Sequence, residues 1–222
     1  MHIEVIHGEN FSSNSFILIE ETKKKLLIID LGLSGELTKY ALRKKLREIC
    51  GDNTRIQVEV FLTHCHVDHI LGSDNLSDFN NILYSSSPLT AKHINNNDGI
   101  SLISQFGLQD EINFQIKKEY KDTEIIPFAG AKMEVIHSPG HTDGSAVIYD
   151  HITKSLFAGD VVFDGGACGR TDLPTGDRKK LIITLSKLAD LDIEHLYSGH
   201  GPDLHKNVRE NILSAKKMLE MW

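Results

Sequence analysis

Within Thr63-His64-Cys65-His66-Val67-Asp68-His69, three imidazoles and a carboxylate fall inside six residues directly after an apolar, β-rich run. Imidazole nitrogen and carboxylate oxygen are the usual ligands of borderline divalent metals, so this density points to a cation site. On extended backbone, residues i and i+2 point to one side, so His64 and His66 can share one ion while Cys65 faces away as a packing residue. Asp68 and His69 follow where the chain must turn and can diverge toward a second ion beside the first. Three later positions complete the set: His141 after Ser138-Pro139-Gly140, Asp160 after Phe157-Ala158-Gly159, and His200 within Ser198-Gly199-His200-Gly201-Pro202. Each follows a strand-like run and adjoins glycine, which permits a sharp turn or a close approach at the rigid end of a strand. Alone, His141 or His200 would read as a loop histidine. Beside the cluster at 64 to 69, the residues His64, His66, Asp68, His69, His141, Asp160 and His200 form one candidate metal set. His2, His7, His93, His137, His151, His195 and His205 lack such spacing and are left outside it.

The elements that must position these residues follow from periodicity. Ile3 to His7, Ser15 to Glu20 and Leu26 to Asp30 read as strands, and the last two form a hairpin through Glu21-Thr22-Lys23-Lys24-Lys25. Its lysines are expected in a solvated turn that blunts a sheet edge. Ser34 to Cys50 reads as a helix with Leu37, Ala41, Leu42, Leu46, Ile49 and Cys50 on one stripe and Gly51 ending it. Arg55 to Thr63 reads as a buried strand, with Ile56, Val58, Val60 and Leu62 at period two, running straight into His64. Asn81 to Ser85 reads as a strand, and Pro88 to about Tyr120 as a weak helix broken by Asn95-Asn96-Asn97 and Gly99.

Met133 to His137, Ala146 to Asp150 and Ser155 to Ala158 return to strand character, and a glycine-rich loop spans Gly165 to Gly176. Asp177 is placed to cap a helix carrying Leu181, Ile182, Leu185, Leu188 and Ala189. His195 to Ser198 is a final strand, and a last helix carries Val208, Ile212, Ala215, Leu219 and Trp222 on one face. No linker tract or repeat marks a second domain, so residues 1–222 are expected to form one domain with a partly helical insertion at about 86–122. Two strand-rich halves, each with helices, fit an α/β architecture of sheet on sheet covered outside by helices.

Composition narrows the function classes. The chain has 222 residues, 40% apolar and 25% charged, which is ordinary globular composition. A formal charge of −7 argues against a broad grip on polyanions, so no nucleic-acid partner is expected. Three scattered cysteines, Cys50, Cys65 and Cys168, and the absence of an export-type segment in the first fifteen residues point to a reducing cytoplasm. Purely apolar runs such as Leu26 to Ile29 fall far short of the ~20 residues that a membrane helix needs, so no membrane partner is expected.

Residues 64 to 69 fill the pattern H-x-H-x-D-H, and His141, Asp160 and His200 follow at intervals of 72, 19 and 40 residues. In that order they resemble the metallo-β-lactamase superfamily over nearly the whole chain. The resemblance implies an αββα four-layer sandwich, two mixed β-sheets packed face to face with helices outside. It implies that His64, His66 and His141 hold one ion, that Asp68, His69 and His200 hold the second, and that Asp160 bridges them. Asp68 and Asp160 would then act in catalysis as ligands holding a hydroxide. The implied cofactors are two divalent ions, zinc first and iron as the alternative. Asp30, in Ile28-Ile29-Asp30-Leu31-Gly32, also matches a family motif that supports the site from outside the ligand set, with a turn or capping role as its alternative.

Gly140-His141-Thr142-Asp143-Gly144 and Gly169-Arg170-Thr171-Asp172-Leu173-Pro174 resemble the glyoxalase II-like (hydroxyacylglutathione hydrolase-like) enzymes and their sulfur-dioxygenase relatives. That implies a hydroxide between two cations attacking a small thioester. A thioester suits such a site because its thiolate leaves without a proton donor, the reference thiol pKa being about 8.5. Arg170 is the candidate for a substrate carboxylate, with an Arg170–Asp172 brace of the loop as the alternative. Only 22 residues follow His200, too few for the C-terminal glutathione-binding helical domain of full-length glyoxalase II, so strict glutathione recognition is not expected. The stretch from 70 to 140 is left open between a lid and a homodimer surface.

The main rival reading is a persulfide dioxygenase, similar in compact length and in the segments Thr63 to His66 and Gly169 to Asp172, with one iron on His64, His141 and Asp160. A lactonase is a weaker choice. A flavodiiron-type role is disfavoured because that subgroup has Glu where this chain has His66. A non-catalytic binding module is disfavoured because buried ligands are costly without a metal.

Overall fold

The structure, a computed structural model, describes residues 1–221 apart from 23, 52, 54, 106 and 108–111. Six strands form the first sheet in sequential order: β1 (His2–Ile6), β2 (Ser15–Ile19), β3 (Lys25–Ile29), β4 (Gln57–Leu62), β5 (Ile82–Ser86) and β6 (Lys118–Glu119). Pairing is antiparallel from β1 to β3 and parallel from β3 to β6. The second sheet contains β7 (Ile125–Phe128), β8 (Ala131–His137), β9 (Ala146–Asp150), β10 (Ser155–Gly159) and β11 (His195–Ser198), ordered β11-β10-β9-β8-β7. It is antiparallel except for the parallel β10–β11 pair. The helices are α1 (Ala41–Cys50), the single turn α2 (Val67–Ile70), α3 (Pro88–Asn96), α4 (Arg178–Ala189) and α5 (Val208–Met221).

Side-chain alternation explains the layering. In β2 and β3, Phe16, Leu18, Leu27 and Ile29 face the second sheet and meet Val135, Ile148 and Phe157 there. Their neighbours Ile17, Ile19, Leu26 and Ile28 point the other way, into a layer shared with Leu42 and Leu46 of α1 and with Ala91 and Ile94 of α3. On the far side, Val147, Leu156, Ala158 and Leu196 pack against Leu181, Leu185 and Leu188 of α4 and Val208, Ile212 and Ala215 of α5. Strands covered on both faces need apolar residues at nearly every position, which is why the central runs look continuous rather than alternating. The result is an αββα sandwich, as expected.

Parallel register delivers the chemistry to one rim. Ile29 pairs with Phe61, so Asp30 and the segment from Thr63 leave the first sheet side by side. Gly159 pairs with Ser198, so Asp160 and His200 leave the second sheet together. The Ala146 N–H donates to the Thr63 carbonyl at 2.9 Å and ties the two sheets at this rim.

Several expectations are corrected. The first helix starts at Ala41 rather than Ser34, because Lys39 and Tyr40 take left-handed backbone, and Leu37 is consequently exposed. Helix in the 88–120 stretch ends at Asn96, where Asn97 is left-handed; the strands β6 and β7 that follow are too short to show a period. The β2–β3 hairpin lies inside the sheet, not at an edge, since β1 and β4 flank it. Lys25 is accordingly engaged: its Nζ donates to the Pro127 carbonyl at 2.9 Å and lies 3.6 Å from the buried Glu59. The Asp177 cap is present, its carboxylate accepting from the Lys180 N–H at 3.1 Å. Trp222 lies outside the described residues.

Candidate metal centre

All seven candidate ligands converge at the rim. His64 follows β4, His66 immediately precedes α2, and Asp68 and His69 lie on that single helical turn rather than on extended chain. His141 follows the turn after β8, Asp160 directly follows β10, and His200 comes two residues after β11. Three overlapping donor groups result: His64, His66 and His141; His64, His69 and Asp160; and Asp68, His69 and His200, each with ligand atoms within 4.8 Å of one another.

Asp160 stands between the first and third groups. Its Oδ1 lies 3.1 Å from His69 Nε2 and 3.6 Å from His200 Nε2, while its Oδ2 lies 3.6 Å from His141 Nε2. Asp68 Oδ2 lies 3.1 Å from His200 Nε2 and 3.8 Å from His69 Nε2. His66 Nδ1 comes within 2.8 Å of His141 Nε2.

The donor atoms fit divalent cations. His64 Nε2 and His66 Nε2 are buried without a hydrogen-bond partner, and His69 Nε2 and Asp160 Oδ1 have only their own 3.1 Å ion pair. A buried, unpaired polar atom costs roughly 1–3 kcal/mol, so such atoms gathered in one place fit a cation among them. Burial, reinforced by repulsion from His69 and His141, holds His64 far below the ordinary imidazole range. Burial, followed by repulsion from His141, pushes His66 down to about 3. Both rings are therefore neutral at physiological pH, the form that binds metal. Burial also lowers His69, but Asp160, Asp30 and Asp68 outweigh it and raise that ring well above its usual value. The Asp160 carboxyl is lowered, burial being overcome by His69 and His141.

Neighbouring groups aim the rings. His69 Nδ1 donates to Asp30 Oδ2 at 2.7 Å, and Asp30 accepts the Thr63 N–H on Oδ1 and the Thr63 hydroxyl on Oδ2, both at 2.8 Å. Thr63 Oγ1 lies 3.1 Å from His64 Nδ1. His141 Nδ1 donates to the Arg170 carbonyl at 2.8 Å. In each case Nδ1 is occupied, which turns Nε2 toward the cluster, where His141 Nε2 meets His66 Nδ1. Asp30 thus supports the candidate ligands His69 and, through Thr63, His64. Two glycines are dictated by crowding: a Cβ at Gly199 would collide with Asp160 Oδ1, and one at Gly169 with the Asp160 carbonyl and the His141 ring.

A cleft of about 280 Å³ opens over the centre, lined by His66, Asp68, His141, Asp160 and His200 together with Leu102, Phe163, Cys168, Gly169, Arg170 and Leu173. A larger depression of about 550 Å³ beside β1 contains none of the seven candidates. Arg170 makes a two-pronged contact with Asp172, at 2.9 and 2.8 Å, on the exposed rim. The Arg170 side chain thus braces its own loop, and its backbone carbonyl, not its side chain, touches a candidate ligand. Cys65 is fully buried in the helix-facing core, and burial pushes its thiol up to about 12.

Two polar residues near the centre carry no signal in the sequence. Asn14, at the entry to β2, is buried against the loop that bears His200. His93 of α3 lies 2.6 Å from Asp98 and 2.9 Å from Asp143 and so joins the insertion to the His141 loop. Neither has ligand spacing; only the fold brings them near the site.

A family model described as "Metallo-beta-lactamase superfamily" matches residues 9–200. A probable metallo-hydrolase of Methanocaldococcus jannaschii is 34% identical over 209 residues, covering 88% of this chain and 91% of that protein. The hydroxyacylglutathione hydrolase GloC of Haemophilus influenzae is 31% identical over 215 residues, covering 90% of this chain and 91% of its own. Among solved structures, the B3 metallo-β-lactamase BLEG-1 superposes with a TM-score of 0.78 at 23% identity, covering 98% of this chain and 99% of that one, a likeness of fold alone.

Proposed function

The chain belongs to the metallo-β-lactamase superfamily, and from that premise we propose a glyoxalase II-like hydrolase that cleaves small thioesters with two divalent ions, zinc in the first instance. The observation that carries the binuclear reading is Asp160, whose two oxygens face different ligand groups. His64, His66 and His141 would hold one ion, Asp68, His69 and His200 the other, and Asp160 both. Two such ions, when bound, bring the pKa of a water toward neutrality and polarise an acyl oxygen.

The chain's own residues do the rest. Neutral His64 and His66 offer ring lone pairs, while Asp30, Thr63 and the Arg170 carbonyl hold the rings in place. Leu102, Phe163 and Leu173 give the cleft an apolar wall for an acyl group. Apart from the proposed ligands, its titratable lining among the described residues consists of Cys168 and Arg170. Burial pushes the Cys168 thiol up to about 11, and the Arg170 guanidinium is raised further by Asp172, so both are weak acids at neutral pH. A leaving group that can depart as an anion is therefore favoured, and a thiolate departs far more readily than an amide nitrogen. The similarity to GloC supports the same class.

At about 280 Å³ the cleft lies just below the ~300–1,000 Å³ of typical small-molecule sites, enough for an acyl-thiol core. Arg170 would reach a substrate carboxylate by exchanging Asp172 for it. Zinc-loaded protein assayed with S-lactoylglutathione, a second acyl thioester, a lactone and a β-lactam tests the reading. Thioester turnover is expected; a lack of it, with turnover of another substrate, overturns the thioesterase assignment.

A further inference from the structure

Asn14 directs both of its donor groups, the backbone N–H and the side-chain amide, at a single loop. Its backbone N–H donates to the Gly199 carbonyl at 2.7 Å. Its side-chain amide donates to the Ser198 and Gly201 carbonyls, both at 2.9 Å, and its Oδ1 accepts the Gly8 N–H at 2.9 Å. Ser198, Gly199 and Gly201 bracket His200, and Gly201 sits at φ +78°. A segment flanked by two glycines has little rigidity of its own, so an outside clamp must set the direction of the imidazole. Asn14 is 2% exposed, and the neighbouring Ser13 N–H donates to the Asp68 carbonyl at 3.0 Å.

The same N-terminal region holds the third member of that group. Leu31 N donates to the His69 carbonyl at 2.9 Å, and Asp30 accepts from the His69 ring. Asp68, His69 and His200 are thus each tied to residues 13, 14, 30 or 31. His141 is instead tied to the Arg170 carbonyl and to the loop that meets α3. Asp30 also reaches His64 through Thr63, whereas the hydrogen bonds of Asn14 fall on the His200 loop and on Gly8 and touch no part of the His64–His66–His141 group.

We propose that Asn14 is a positioning residue for the second metal: by clamping Ser198 and Gly201 it aims His200 and governs whether the Asp68–His69–His200 group is occupied, independently of the His64–His66–His141 group. The inference rests on the binuclear reading above. Its chemical basis is donor polarity. An aspartate of the same size would turn a carboxylate oxygen toward each of two carbonyl oxygens, and alanine would leave both carbonyls without their donor.

Metal-free wild type, Asn14→Ala, Asn14→Asp and, as a control, Asn95→Ala would be titrated with Zn²⁺ by calorimetry, with bound metal counted after dialysis at fixed free Zn²⁺. Asn95 makes a comparable amide clamp within the insertion, donating to and accepting from Ile116 at 3.1 and 2.8 Å, on neither of the loops that carry Asp68 and His200. The expected result is two ions in wild type and Asn95→Ala. Both Asn14 variants should keep one ion near wild-type affinity, with the other weakened by roughly 10–100-fold. Two ions of unchanged affinity in the Asn14 variants, or an equal loss in Asn95→Ala, overturns the inference. A wild type binding fewer than two ions overturns the binuclear reading instead. If the variants do not fold, the wild-type Asn14 side-chain amide signals decide by NMR. They should shift with only one of the two Zn²⁺ equivalents, and a shift with neither or with both overturns the inference.

Discussion

Asp30 Oδ2 accepts the ring N–H of His69 at 2.7 Å from a backbone held at φ +57°. The same carboxylate takes the Thr63 hydroxyl, which in turn lies 3.1 Å from His64 Nδ1, so one buried acid orders ligands of both groups. Asp30→Asn presents an amide NH₂ to at least one of the three donors that the carboxylate accepts. Zinc affinity is expected to fall by roughly 10–100-fold with the fold intact, as read by competition against a chelator. Unchanged affinity would show that Asp30 serves only the turn.

Asp160 reaches toward both groups and Asp68 toward one. Asp160→Ala should therefore cost more total metal than Asp68→Ala after identical purification, measured as ions per chain. If Asp160→Ala keeps its first ion fully and loses no more of the second than Asp68→Ala does, Asp160 is not a bridge.

Metal identity separates the hydrolase from its rival. Five imidazoles and two carboxylates suit borderline ions better than magnesium or calcium, and the binuclear reading expects two zinc ions per chain by elemental analysis of active protein. Active protein carrying one iron and no second metal would move the assignment to the dioxygenase.

Among the described residues the cleft lining holds no strong proton donor beyond the proposed ligands, so rates should track leaving-group basicity, favouring thioesters and activated esters over β-lactams. The small cleft also predicts that thioesters of other small thiols are accepted within about tenfold of the glutathione thioester, a difference of about 1.4 kcal/mol. Steady-state kcat/KM values check both statements. Efficient β-lactam opening without thioester turnover would sink the first, and strict dependence on glutathione the second.

His93 is buried between Asp98 and Asp143 and bonds one with each ring nitrogen, which requires the doubly protonated ring. Burial lowers its pKa, but the two carboxylates outweigh burial and raise it. A raised folded-state pKa stabilises fully below the unfolded value of about 6.5, and that stabilisation is lost as pH rises through the higher folded value. In metal-free protein, the Tm deficit of His93→Gln should be largest near pH 6 and shrink toward pH 9, with each kcal/mol reading as about 2–4 °C. A deficit independent of pH would mean that the ring acts by packing alone.

What the sequence determined by itself was the candidate ligand set and the layering. His64, His66, Asp68 and His69 are dense enough in sequence to mark a candidate cation site, and strand periods such as Ile56, Val58, Val60 and Leu62 carry the sandwich. These are local signals: ligand spacing and side-chain alternation survive in a linear string. The tertiary structure alone decided which groups support which ligand. Asn14 lies 184 residues from Ser198 and reads as one more polar residue before a strand, and Asp30 fitted a turn as well as a ligand support. Only parallel pairing of β3 with β4 and of β10 with β11 brings those strand ends to one rim. The extent of the helix at 41–50 and the end of α3 at Asn96 were likewise settled by left-handed residues at Tyr40 and Asn97. Non-glycine residues adopt that conformation when surrounding contacts impose it, and no period in the sequence announces it.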